Sequence, residues 1–76
     1  MSITELKAGD VGYVSQIKGD TRFRNKMIAI GLINGSKFEI LKNEKNHPVL
    51  IYSRDTVLAL NREDSRNIIT EVGYEQ

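Results

Sequence analysis

The sequence predicts a mainly β fold of about five short strands, with one helix inserted between the first two. Three observations predict it. Short runs rich in β-branched residues are separated by glycine and polar clusters. Only residues 22–30 carry a convincing helical period. The stretch Met27-Ile28-Ala29-Ile30-Gly31-Leu32-Ile33-Asn34-Gly35 ends that helix on one glycine and launches the next strand from another.

After an opening turn through Leu6 and Gly9-Asp10, residues 11–18 read as the first strand. Val11, Tyr13 and Ile17 fall on one side, and Val14 breaks the alternation. Gly19-Asp20-Thr21 supplies a turn, with Asp20 or Thr21 as the helix N-cap. Phe23, Met27 and Ile30 lie within a narrow arc at 100° per residue and are expected to face the core, whereas Ile28 points well away from it. Gly31 falls at C′, where the left-handed conformation costs a residue with a Cβ roughly 1–2 kcal/mol and glycine almost nothing. Leu32 can then fold back onto Met27, and residues 33–36 turn the chain into a second strand, 36–42, with Phe38 and Ile40 on its apolar face.

Asn43 to His47 is a polar connection. Pro48 cannot donate to a ladder, so the third strand is expected to start there and run to Tyr52. Ser53-Arg54-Asp55 reverses the chain into a fourth strand, 56–60. Asn61 caps a short helical turn with Asp64 at N3, and residues 68–72 form the last strand. Tyr74-Glu75-Gln76 reads as a frayed tail. Strands in this order look like a small SH3-like barrel, whose closure would remove the sheet edges that invite aggregation.

A chain of 76 residues holds one domain, 1–76, and buries only about 60% of the surface that its unfolded form exposes. Its net charge of +1, with acids and bases intermixed, argues against a dedicated binder of nucleic acid or anionic membrane. There is no cysteine, hence no disulfide and no thiolate metal site. No stretch is long and apolar enough to span a bilayer, and the first residues lack the apolar core of a secretory signal, so a soluble protein is expected.

Chemistry-bearing residues are sparse. His47, the single histidine, and nearby Glu44 offer at most two metal ligands, fewer than the three or four a transition metal requires. No nucleophile is paired with an activating base, and Gly35-Ser36-Lys37 has the wrong order for a phosphate loop. The reading is therefore no enzyme, no cofactor and no metal site. Tyr13, Phe23, Phe38, Tyr52 and Tyr74 do not interleave with basic residues as a base-stacking platform would, and tryptophan is absent from any groove for proline-rich peptides. The basic cluster Lys18, Arg22, Arg24, Lys26 reads either as a solvated helix face or as part of a docking surface.

Leu6 with Gly9, Lys26-Met27, Ile30-Gly31-Leu32 with Gly35, Pro48, Val57-Leu58-Ala59-Leu60, and Ser65 with Ile68 form a pattern spanning nearly the whole chain. It resembles the FeoA family of ferrous iron transport accessory proteins. The most specific element is that family's Leu-Gly-Leu-x-Pro-Gly corner, here Ile30-Gly31-Leu32-Ile33-Asn34-Gly35. Asn34 stands for the usual proline, Asp55 for a frequent glycine and Ser65 for the usual alanine. The resemblance implies a cytoplasmic, non-catalytic SH3-like protein that works with the cytoplasmic part of FeoB, the membrane transporter of ferrous iron that bears a GTP-binding domain. Association with iron transport does not amount to iron binding by this chain. The alternative is a free-standing regulatory domain related to the C-terminal part of iron-dependent repressors.

Contact with a partner, or weakly with a second copy, is expected at an apolar patch formed by Ile28, Leu32 and Ile33 and rimmed by Arg24. Gly31 and Gly35 are the structural residues of that corner. The protein is expected to reach the inner face of the membrane only through its partner.

Overall fold

The computed structural model describes residues 1–73, so the predicted tail Tyr74-Glu75-Gln76 lies outside the described residues. A single 3-10 turn, Ile3–Glu5, precedes β1 (Val11–Ile17), α1 (Thr21–Ala29), β2 (Lys37–Lys42), β3 (Val49–Ser53), β4 (Thr56–Leu60), α2 (Arg62–Ser65) and β5 (Ile68–Val72). The opening turn is held by a capping box between Ser2 and Glu5, a Ser-x-x-Glu pattern visible in the sequence but not read there.

The five strands form one antiparallel sheet in the order β4-β3-β2-β1-β5. This corrects the expected barrel. The first and last strands of the sheet do not pair, and the sheet stays open. The outer edge of β5 is taken by the start of the chain instead: Thr70 N donates to Met1 O at 2.7 Å, the Met1 amino group donates to Thr70 O at 3.0 Å, and Ser2 bridges Ile69. With β5 covered in this way, β4 is left as a true edge.

Below the sheet, Ile3, Leu6, Val14, Met27, Leu32, Phe38, Ile40, Val49, Ile51, Leu60 and Ile68 form one buried core, against which Ile17, Phe23 and Leu58 pack in part. The face expected for β1 is corrected here: Val14 is buried and Tyr13 is exposed. A register shift between Val14 and Gln16 explains how Ile17 still reaches the core, because one extra residue flips the alternation beyond it. Leu41 is exposed by ordinary alternation after Ile40, and the same device between Ile40 and Lys42 keeps Lys42 on the outer face, opposite Leu50. Buried polar side chains are satisfied locally; Ser65 Oγ donates to Asn61 O at 2.7 Å and Ser53 Oγ to Lys37 O at 2.6 Å.

Candidate interaction surface

The helix-to-strand corner positions every exposed apolar side chain of interest. Asp20 is the N-cap of α1, accepting from Phe23 N at 2.9 Å, and Lys18 and Gly19, the latter at φ 112°, connect it to β1. At the other end Gly31 N donates to Ile28 O and Leu32 N to Met27 O, both at 2.9 Å. These two bonds are the pair that defines a Schellman ending, with Ile30 as C-cap and Gly31 at φ 91° as C′. Leu32 is drawn underneath and becomes fully buried beside Met27. It therefore belongs to the core and not to the exposed patch in which it was expected.

Residues 33–36 form the second half of the corner. Ser36 N donates to Ile33 O, and Ser36 Oγ accepts from Ile33 N, both at 3.0 Å. Gly35, at φ 90°, takes the third position of this turn, the position that in a type II turn demands positive φ, and its N–H donates to Val14 O at 2.7 Å. The turn is thus fastened to β1. Asn34, at the position where type II turns commonly carry proline, is accommodated without altering the bonding.

This rigid corner leaves three isoleucines in solvent. Ile28 is 57% exposed, Ile33 41% and Ile30 39%. Ile30 was expected to face the core; as the C-cap it has left helical geometry, and its side chain stays outside while Leu32 takes the buried place. Ile28 and Ile33, with Ile17, Gln16, Arg24 and Asn34, line a shallow groove of about 220 Å³ between α1 and the corner. The Arg24 guanidinium folds back to donate to the Gly19 carbonyl, which holds it at the rim. Of the basic cluster, Lys26 is committed elsewhere: it pairs with Asp64 at 3.0 Å and ties α1 to α2.

The polar connection around His47 is held in place from α2. Arg62 Nη1 donates to Asn43 Oδ1 at 2.9 Å, to Glu44 O at 3.0 Å and to His47 O at 2.9 Å, so one guanidinium clamps the loop through its carbonyls. No group of three or more His, Cys, Asp or Glu able to hold a metal occurs among the described residues. Nothing local in the sequence announces this clamp, since Arg62 lies far along the chain from the loop it holds.

Residues 1–72 match the FeoA domain family. The chain belongs to the FeoA family. Family membership makes it a non-catalytic accessory of ferrous iron uptake that acts through protein–protein contact. Solved structures agree on the fold. An iron uptake regulatory protein (FeoA) seen in a crystal superposes with a TM-score of 0.90 at 22% identity, over 95% of this chain and 96% of that one. A FeoA protein from Chlorobium tepidum, solved in solution, gives 0.84 at 25% identity, over 95% of this chain and 70% of that one. T. acidophilum IdeR gives 0.85 at 18% identity, and here the match covers 96% of this chain but only 34% of the other, a likeness of fold alone. No curated protein sequence matches the chain. No helix among the described residues is long and apolar enough to cross a membrane.

Proposed function

We propose that this FeoA-family protein works in the cytoplasm, docking on the cytoplasmic part of the FeoB transporter through the groove lined by Ile28 and Ile33 and rimmed by Arg24. The observation that carries this reading is the exposure of two large apolar side chains on a corner pinned by its Schellman bonds and by the bonds of Gly35 and Ser36. Side chains held on a rigid frame lose little freedom when a partner covers them, which favours binding. Arg24 adds a positive rim that steers an acidic surface without supplying much of the affinity. Membrane localisation follows from the partner, since the protein itself needs no insertion.

Titration of isotopically labelled protein with the soluble GTP-binding domain of FeoB tests this reading. Shifts concentrated at Arg24, Ile28, Ile33 and Asn34 are expected with the domain, and none of comparable size with ferrous iron alone. A soluble regulatory protein binding tightly where the FeoB domain produces no shift would overturn the reading in favour of a detached regulatory domain.

A further inference from the structure

The open sheet leaves one edge without any of the usual protection. β5 is covered by Met1 and Ser2, whereas β4 pairs with β3 on one side and with no strand on the other among the described residues. Edge strands are ordinarily blunted by charge, proline or a bulge. β4 reads Thr56-Val57-Leu58-Ala59-Leu60, with no charge, no proline and an unbroken register against β3.

The hairpin fixes which backbone groups face outward. Ser53 pairs with Thr56 across the two-residue turn Arg54-Asp55, both of whose residues have positive φ, the pattern of a type I′ hairpin. In such a hairpin the pair flanking the turn exchanges hydrogen bonds, and bonded pairs then alternate. Thr56, Leu58 and Leu60 therefore bond inward to β3. The N–H and C=O groups of Val57 and Ala59 point outward.

We propose that β4 pairs antiparallel with β4 of a second copy of this chain, about a two-fold axis at Leu58, to give one continuous sheet across the dimer. Only this symmetric register places Val57 opposite Ala59 of the second copy and Ala59 opposite its Val57, so that all the outward groups of both residues are satisfied together. Registers centred on Val57 or Ala59 spend half of those groups on the turn or on Asn61. The centre of the pairing brings the two Leu58 side chains together. Each is half-buried and borders a groove that it shares with Ile28 and Ile30.

Charge complements the register. The two-fold axis runs the Arg54 turn of one copy beside the start of α2 of the other. Arg54 and Glu63 each lack an ion-pair partner among the described residues, and here they become neighbours. Arg62, which would oppose Arg54, is turned inward onto its own loop. This surface adjoins the groove proposed for FeoB at Ile28 but rests on the backbone edge of β4, so its failure would leave that reading standing.

Sedimentation equilibrium and amide hydrogen exchange on the full chain decide the matter. The apparent mass is expected to rise from 8.6 kDa towards twice that value as concentration approaches about 1 mM, with exchange at Val57 and Ala59 slowing in step. The exposed-face variants V57K and A59E each weaken self-association by about tenfold or more, and an equimolar mixture restores it, because the two changed positions face each other in the mixed dimer. A monomer at every concentration overturns the proposal. So does a dimer whose dissociation constant neither variant moves, or protection of Val57 and Ala59 that appears only when an extended segment of another protein is added to a monomeric chain.

Discussion

Gly31 carries more of this structure than any other single residue, because two things meet in it. Its φ of 91° closes the helix with two backbone bonds, and its position sends Leu32 into the core and leaves Ile28, Ile30 and Ile33 outside. A Cβ built on Gly31 meets no atom within 4 Å, so the cost of replacing it is conformational and not steric. Gly31→Val is expected to destabilise the fold by about 2 kcal/mol or more, since a β-branched residue is especially ill suited to positive φ. Urea unfolding reads this directly; an unchanged midpoint contradicts the corner. Tyr52 offers a second test at the same scale. Its hydroxyl donates to Asp55 Oδ1 at 3.1 Å, and this bond, then the carboxylate charge, then slight desolvation push its pKa above the ordinary value of 10.0. With the folded value above the unfolded one, the contribution is fully present below about pH 10 and is lost as pH rises through the folded pKa. Asp55→Asn should bring the phenol back towards its ordinary titration, followed by ultraviolet absorbance; a titration unmoved by that change shows that the carboxylate does not set it.

At the scale of elements, the sequence made strand existence and order legible, and what it hid was face and closure. Alternation in residues 11–18 pointed to Tyr13, yet the bulge after Val14 is a two-strand property that appears only once β5 lies alongside. Ile30 follows the helical arc of Phe23 and Met27 in projection, but the helix has ended before it. The barrel failed for a reason of the same kind: the pairing of the first residues with β5 is a contact between the two ends of the chain, invisible to any local pattern. The corner, by contrast, was readable because glycine positions, caps and turn chemistry are all local. Of the predicted patch, Leu32 was misplaced because its role as the residue that folds back onto Met27 also buries it. The β3–β4 hairpin supplies a further test. Arg54, at φ 54°, sits in a turn that favours asparagine there. Arg54→Asn should raise stability by about 0.5–1 kcal/mol, measured by urea unfolding, while leaving the Tyr52–Asp55 bond intact; a loss of stability would mean that the arginine side chain contributes more than its backbone strain costs.

At the scale of the molecule, a small domain has divided its surface by mechanical role. The Arg62 clamp holds the loop 43–47 to α2, the Lys26–Asp64 pair ties the two helices together, the start of the chain closes one edge, and the corner presents apolar side chains on a bonded frame. An interaction module of this kind works by what it covers and not by what it converts. The most direct test is calorimetric binding of the FeoB cytoplasmic domain to the native protein and to Ile28→Asp. Ile28 is mostly exposed, so the variant should melt within a few degrees of the native protein. The account predicts that it also loses affinity by about tenfold or more, the loss expected when a buried contact of more than about 1.4 kcal/mol is removed. Equal affinity in a fully folded variant would contradict it.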